Sequence, residues 1–409
     1  MTPAPARRRT MKVKTRPEDF SVEELTDVRP AGFGPFALYQ LRKRGIGTPE
    51  AVQHICREWN LGFQQIAYGG LKDRHAETVQ YVTIQKGPRR NLHRGPWTLR
   101  YLGQVARPFG PAQIQANRFR IVLRDFTEPA ARAALEEVEQ VRRDGVPNYF
   151  DDQRFGSVGA DRQFVAKKLI DGDFEAALRL ALVEPYEFDR AAQKEEKRVL
   201  RERWGDWQAA KAGLARGHAR SIVTYLADHP TDFRGAIARL RADLKSLYLA
   251  AYQSHIWNRA LTRWLELHCR PEQLAPVELR LGPVRFCRAL SDEQLAAFHT
   301  LQLPLPSARL KISPEDPIKA IIDEVLGEEG MTLPQMKLKH FREPFFSKGN
   351  RPAYFMPANL VGQLQTDEVH AGRSKVVLAF ELPRGSYATM LIKRIAWGDP
   401  AGGAEDQQD

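Results

Sequence analysis

The stretch that decides the fold lies at residues 68–80 and has the sequence YGGLKDRHAETVQ. Two glycines follow a short apolar segment, and glycine lets the backbone turn tightly or lie close to a ligand. One carboxylate, Asp73, then stands between Lys72 and Arg74, with His75 beside it, and an alternating segment typical of a strand follows. Asp73 is therefore predicted to lie in a loop held by regular elements, where catalytic groups concentrate.

The charges around Asp73 allow two interpretations. Cations within about 4–6 Å would lower the pKa of the carboxyl and keep it ionised, as a nucleophile requires. The same cations could bind RNA phosphates. The alternative is an ordinary surface turn whose ion pairs are each worth at most about 1 kcal/mol. From spacing alone, the ordinary turn is the better interpretation.

A second stretch, GVPNYFDDQRFG at residues 145–156, crowds aromatic and amide side chains into one irregular segment. Aromatic rings stack on unpaired RNA bases, and amides such as Asn148 bind base edges. The alternative is that Tyr149, Phe150 and Phe155 pack in the core, as most aromatic residues do. Taken alone, this segment also favours the core interpretation.

The rest of the chain predicts an α+β fold. Alternating apolar residues predict strands at residues 37–43, 78–84, 119–126 and 375–382. Helical periodicity predicts helices at 48–59, with Thr48 as the N-cap residue, and at 130–143, with Gly145 at the C-terminal end. Residues 388–395 are compatible with a helix or a strand. Long helix-favouring segments, 192–216 and 233–265, occupy the middle of the chain.

Strands at both ends and helices in the middle predict one discontinuous domain interrupted by an insertion. The first domain would comprise residues 1–172 and 362–397, and the insertion residues 173–361. The remaining segment, 398–409, is polar and rich in glycine, which predicts a disordered tail.

The composition restricts the class of protein. The chain has 409 residues, 43% of them hydrophobic, and no run near the roughly 20 apolar residues of a membrane helix. A net charge of +12 favours a nucleic-acid partner over mere solubility. Three isolated cysteines without a C-x-x-C pair argue against a zinc ribbon or a disulfide scaffold and predict a cytoplasmic protein. Phosphate-binding glycine loops and metal-ligand clusters are missing, so neither a cofactor nor a metal is predicted.

Five motifs resolve both ambiguous stretches. The segments at 70–80 and 146–156 resemble two signatures of the TruD family of tRNA pseudouridine synthases. Three further motifs agree with that family in their order: PEDF at 17–20, N-x-F-x-x-x-L-R at 117–124 and GSYAT at 385–389. Together they span nearly the whole chain. Tyr387 stands where many members have phenylalanine, and the middle segment is longer than in compact members.

The resemblance implies a fold and a reaction. The fold would be that of pseudouridine synthases, a mixed, mainly antiparallel sheet flanked by helices, with a family-specific α+β insertion. The reaction would isomerise a uridine of tRNA, uridine 13, to pseudouridine. This reaction involves no redox change or phosphate transfer, so neither cofactor nor metal is expected. Separately from the resemblance, a monomer is expected. The alternatives are a non-catalytic RNA-binding protein with the same basic cleft and, less favoured, a different nucleic-acid enzyme such as a glycosidase-like enzyme or a nuclease.

The resemblance also implies roles for individual residues. Asp73 would be the catalytic carboxylate, as a nucleophile or as a base at the sugar. Phe20, Asn148 and Tyr387 would line the pocket of a flipped-out uracil. Beyond the resemblance, Phe150 is a candidate for stacking on a base. Candidates for phosphate contacts or for orienting Asp73 are Lys14, Lys72, Arg74 and Arg154.

Overall fold

The computed structural model describes residues 11–186, 189–338, 341, 345–396 and 405–406. The chain divides into two compact units, the first formed by residues 1–148 and 354–409 and the second by residues 149–353. The second unit overlaps the predicted insertion, 173–361, but begins and ends earlier in the sequence. Most of the predicted tail, 398–409, lies outside the described residues; residues 405–406 form a short strand.

Most of the strands belong to the first unit. They are β1 Lys12–Val13, β2 Phe20–Leu25, β3 Phe36–Arg44, β4 Ile66–Tyr68, β5 Glu77–Gln85, β6 Leu92–Arg94, β7 Trp97–Val105, β8 Ala116–Phe126, β9 Val146–Pro147, β10 Leu274–Leu279, β11 Gly282–Cys287, β12 Gln302–Pro304, β13 Asn350–Pro352, β14 Tyr354–Phe355, β15 Ala358–Thr366, β16 Ser374–Pro383 and β17 Glu405–Asp406.

The helices are concentrated in the second unit. They are α1 Thr48–Trp59, α2 Glu128–Asp144, α3 Val165–Asp171, α4 Phe174–Leu182, α5 Ala191–Glu202, α6 Trp207–Gly213, α7 His218–Asp228, α8 Phe233–Ala238, α9 Ala242–His268, α10 Asp292–Thr300, α11 Pro317–Glu328 and α12 Ala388–Ala396.

The first unit is built on one large sheet in which strands from both ends of the chain are neighbours. Its order is β15-β16-β8-β2-β5-β3-β7-β6, with β1 beside β8 and β4 beside β5. All of these pairs are antiparallel except β2 with β5, and β1 also pairs in parallel with β17. The predicted mixed, mainly antiparallel sheet flanked by helices is therefore confirmed.

Helix α1, which follows β3 in the sequence, packs on one face of the sheet. Its apolar face, with Val52 and Ile55, packs on Tyr39, Leu41 and other side chains of β3, β5 and β7. The helix begins as predicted, but Gly47 is the N-cap residue and Thr48 is already helical. The predicted capping role of Thr48 is wrong, because its hydroxyl is bonded elsewhere, as described below.

The second unit has its own apolar core formed by residues of helices α3 to α9, and α9 is the longest helix with 27 residues. The hairpin of β10 and β11 packs against α9. The predicted helical segments 192–216 and 233–265 are each divided in two, the first around Asp206 and the second around Arg241. No helix among the described residues is long and apolar enough to cross a bilayer.

Candidate active site

The loop that carries Asp73 connects β4 to β5, and its backbone is held by hydrogen bonds with buried polar side chains. The ammonium of Lys43 donates to the carbonyl oxygens of Lys72 (3.2 Å) and Asp73 (2.8 Å). The hydroxyl of Thr48 accepts from the Lys72 amide (2.9 Å), and Gln80 Nε2 donates to the Gly70 carbonyl (3.3 Å). Lys43, Thr48 and Gln80 are all buried. The loop is therefore fixed through its main chain.

Glycine at the start of the loop allows a close approach to neighbouring side chains. A Cβ atom at Gly69 would lie 2.4 Å from Ile114 Cδ1, which is closer than real carbon contacts. Gly70 has open space around the same position. Only the first of the two glycines therefore reflects a close approach, and that approach is to the protein core.

The Asp73 carboxylate has two donors and an exposed side. Oδ2 accepts from Lys14 Nζ at 2.6 Å, and Oδ1 accepts from the backbone amide of His75 at 3.2 Å. Partial burial raises the pKa of the Asp73 carboxyl, but the charge and hydrogen bond of Lys14, with the His75 amide and charge, outweigh it. The pKa therefore lies below its ordinary value, and the ionised side chain remains 32% exposed.

Lys14 reaches Asp73 from an unusual backbone conformation. Its φ angle is +60°, in the left-handed region that non-glycine residues rarely adopt. Its side chain is only 3% exposed, and Nζ lies 4.6 Å from the ring centroid of Phe20. Backbone strain of this kind is often found at functional sites. The predicted residues Lys14, Phe20 and Asp73 are thus in one contact cluster.

Lys72 and Arg74, the residues on either side of Asp73, have acidic partners of their own. Lys72 Nζ lies 3.0 Å from Oε1 of the fully buried Glu24 and donates to Asn117 Oδ1 at 2.9 Å. Arg74 is 55% exposed and donates to Glu50 at 3.0 Å. Lys72 therefore joins the loop to β2 and β8, whereas Arg74 remains accessible to solvent.

Asn148 and Tyr387 lie in neighbouring elements of the first unit. Asn148 is buried and directly follows β9, which packs against α12. Tyr387 is half-buried in the turn before α12, where its carbonyl accepts from the Met390 amide. These two predicted residues thus belong to elements of the first unit that pack on one another.

Phe150 and Arg154 belong to the second unit, where they pack beside α9. The Phe150 ring is 6% exposed and meets Trp257 edge to face at 5.4 Å, while Arg351 lies 4.0 Å from its centroid. Its backbone exchanges two hydrogen bonds of 2.8 Å with the amide of Asn258. Arg154 Nε donates to a serine of α9 and its guanidinium lies 5.4 Å from the Phe150 ring.

A buried ion cluster holds the segment that leads into Phe20. Arg124 on β8 donates through two nitrogens to Asp19, at 2.9 and 2.7 Å, and also to Asp367 and Glu368. Asp19, Arg124 and Asp367 are buried. The aspartate of the PEDF motif and the arginine of the N-x-F-x-x-x-L-R motif are thus ion-pair partners. Among the described residues, no three histidine, cysteine or acidic side chains are grouped as metal ligands.

Sequence reasoning missed Lys43, although a signal was present. Strand β3 alternates, and Tyr39, Leu41 and Lys43 share its buried face. A lysine at the end of an apolar face indicates a buried cation with fixed acceptors. Two of its three acceptors could not be found from the sequence, because they are carbonyl groups of a loop about thirty residues away.

Comparisons with known proteins find similar sequences over nearly the whole chain. The family model described as tRNA pseudouridine synthase D (TruD) matches residues 6–395. A relative named "Probable tRNA pseudouridine synthase D 2" from Methanocaldococcus jannaschii is 31% identical over 395 residues, covering 95% of this chain and 92% of the relative. The tRNA pseudouridine synthase D of Aquifex aeolicus is 27% identical over 396 residues, covering 95% and 99%.

A solved structure shows the same fold. The crystal structure of a Methanosarcina mazei protein assigned as tRNA pseudouridine synthase D superposes with a TM-score of 0.69 at 24% identity, covering 95% of this chain and 94% of that one. The chain therefore belongs to the TruD family, whose members are the isomerases that convert uridine to pseudouridine in tRNA.

Proposed function

We propose that Asp73 is the catalytic carboxylate of this isomerase and that its target is uridine 13 of tRNA. The observation that carries the proposal is the Asp73 carboxylate itself, held ionised by Lys14 at 2.6 Å yet partly open to solvent. The choice of uridine 13 rests on the motifs shared with the family.

The reaction explains why such a carboxylate is needed. The N1–C1′ bond of uridine breaks, the uracil turns, and a C5–C1′ bond forms, with loss of the C5 proton and gain of a proton at N1. An ionised carboxylate can attack C1′ as a nucleophile, or it can remove a proton from the sugar as a base. Both routes need an aspartate that is ionised at neutral pH, and Lys14 lowers the pKa of Asp73 against the effect of burial.

The uracil must leave the base stack before it reaches Asp73, at a cost of a few kcal/mol. We assign Phe20, Asn148 and Tyr387 of the first unit to the pocket that holds the flipped base, and Phe150 of the second unit to stacking on a base. Phe20 is supported by its contact with Lys14, the ion-pair partner of Asp73.

The basic residues divide into two proposed roles. Lys14 orients Asp73 through a direct ion pair. Lys72 anchors the loop to strands β2 and β8 through its bonds to Glu24 and Asn117. The exposed Arg74, and Arg154 in the second unit, are assigned to phosphate contacts, which position RNA without reading its sequence.

The test is Asp73→Asn, with Asp27→Asn as the matched control. The change at Asp73 is nearly isosteric, so the loop should hold, but an amide serves neither as nucleophile nor as base. Pseudouridine formation should fall by at least a thousandfold, while the melting temperature and tRNA affinity stay close to wild type. Asp27 is exposed on the same unit and its variant should keep full activity. A folded Asp73→Asn protein that still forms pseudouridine would remove Asp73 from the mechanism.

The position of the modified uridine is tested separately. Total tRNA from a strain without the modification is incubated with the wild-type protein, and new pseudouridines are mapped. Modification at position 13 supports the proposal, and modification only at other positions contradicts it.

A further inference from the structure

The buried ammonium of Lys43 is hydrogen-bonded to the backbone of the Asp73 loop and has no role in the proposed reaction. Lys43 is 1% exposed and stands on the apolar face of β3. Burial of an unpaired ammonium is strongly unfavourable, so an ordinary core position would not retain it. Its acceptors are all backbone carbonyl oxygens, and among the described residues none of its hydrogen bonds goes to a carboxylate.

The number of acceptors matches the chemistry of a protonated lysine. Nζ donates to the carbonyls of Ile46 at 2.8 Å, Asp73 at 2.8 Å and Lys72 at 3.2 Å. An ammonium has three N–H donors, whereas a neutral amine has only two and would direct its lone pair at a carbonyl oxygen. The charged form is therefore the one that the three carbonyls fit.

The two loop carbonyls are those on either side of the Asp73 Cα atom. Lys43 thereby fixes both peptide planes adjacent to Asp73, which leaves only the side-chain torsions of Asp73 free. Those torsions are limited by Lys14 at 2.6 Å and by the His75 amide at 3.2 Å. Lys43 itself does not touch the carboxylate, so it acts on the reaction through the main chain.

We propose that Lys43 is a positioning residue for the isomerisation, whose charged ammonium holds the peptide groups around Asp73 so that the carboxylate faces the sugar in a productive orientation. This inference rests on the proposed catalytic role of Asp73. A displacement of a reacting group by about 1 Å can slow an enzyme roughly a hundredfold, which makes the position of the loop a measurable part of the rate.

The proposal has a consequence for the dependence of the rate on pH. Burial lowers the pKa of Lys43 to about 8, although the charge of Asp73 opposes this. The other charged groups that act on the ammonium are Lys72 on the loop and Glu50 on α1. Above this pH the amine loses one donor and the loop loses a restraint, so the rate should fall.

The experiment compares Lys43→Met with Lys197→Met. Lys197 is a buried lysine of the second unit that pairs with Asp189 at 2.6 Å, so its loss also removes a buried cation. Single-turnover rates with saturating enzyme are measured on unmodified tRNA from pH 6.5 to 9.5, together with tRNA affinity and melting temperature. Lys43→Met should react about a hundredfold more slowly with affinity within threefold of wild type. Lys197→Met should melt earlier but keep the wild-type rate.

The pH profile separates positioning from a loss of stability. The wild-type and Lys197→Met rates should decline above about pH 8, whereas the Lys43→Met rate should be low and flat over this range. If Lys43→Met does not fold, Lys43→Gln replaces it under the same criteria. A folded variant at Lys43 with a rate within threefold of wild type, or with the wild-type pH profile, overturns the proposal.

Asp73→Asn is measured alongside these variants. An inactive Asp73→Asn protein with a fully active Lys43→Met protein overturns only the positioning role. An active Asp73→Asn protein overturns the role of Asp73 and, with it, that of Lys43.

Discussion

Replacement of Arg124 by methionine should destabilise the first unit, because it leaves buried carboxylates without their cation. The Arg124 side chain is 4% exposed, and it bridges Asp19 on one side to Asp367 and Glu368 on the other. Removing one partner from a buried ion pair costs about 3–5 kcal/mol. Asp367 keeps the amides of Asp125 and Val369 as donors, so the lower end of this range, about 3 kcal/mol, applies.

The assay is hydrogen exchange of the amides in β8, the strand that carries Arg124. About 1.4 kcal/mol corresponds to a tenfold change in an equilibrium, so a loss of about 3 kcal/mol should speed exchange roughly a hundredfold. Arg118→Met is the control on the same strand. Its side chain is 54% exposed and pairs with Glu23 and Glu381, and exposed pairs contribute at most about 1 kcal/mol.

The effect should also depend on pH in a definite direction. Burial raises the pKa of Asp367, but the Val369 and Asp125 amides, His370 and Arg124 together hold it below its ordinary value of 3.8. A carboxyl with a depressed pKa stabilises the fold above its ordinary pKa and loses this effect as the pH falls through the folded value. The difference in unfolding free energy between wild type and Arg124→Met, measured by exchange of the β8 amides, should therefore be largest at neutral pH. It should become smaller below about pH 4. Two results would refute the reasoning. One is amide exchange in Arg124→Met within threefold of wild type at pH 7, and the other is an equally large increase of exchange in Arg118→Met.

Three further predictions concern the site and its substrate. Lys14→Met should move the acid limb of the single-turnover rate to higher pH, because Lys14 lowers the pKa of Asp73, and Lys12→Met should not. Phe150→Leu should lower the melting temperature through loss of the aromatic contact with Trp257, worth about 1 kcal/mol, and an unchanged rate would exclude stacking of the ring on a base. Affinity for tRNA should fall linearly with salt on a double-logarithmic plot, given the +12 charge, and a flat response would contradict the basic surface as the RNA footprint.

The sequence predicted the sheet well because its strands alternate and its motifs lie at the ends of strands. The strands predicted at 78–84 and 119–126 are the cores of β5 and β8, and residues 388–395 are helical. The pairing of β2 with β8 and of β8 with β16 could not be predicted, because register is decided by contacts between distant parts of the chain. The ion pair of Asp19 with Arg124 follows from that register.

The residues in contact with Asp73 were predicted only in part. Lys14 was among the basic candidates, but nothing in the sequence indicated its left-handed backbone or its closeness to Phe20. Thr48 was interpreted as a helix cap, since a hydroxyl before Pro49 is typical of one. Its hydroxyl instead accepts from Lys72 and donates to Gln80 at 2.8 Å, a use that depends on the loop lying over the start of α1.

A carboxylate that acts at the sugar, as we propose for Asp73, must satisfy requirements that oppose one another. Full burial would fix the group but would raise its pKa, and full exposure would keep it ionised but mobile. The structure divides the task between two lysines. Lys43 is buried and fixes the main chain, whereas Lys14 meets the carboxylate directly and lowers its pKa. Because the restraint acts on the backbone, one side of Asp73 can stay open for the ribose.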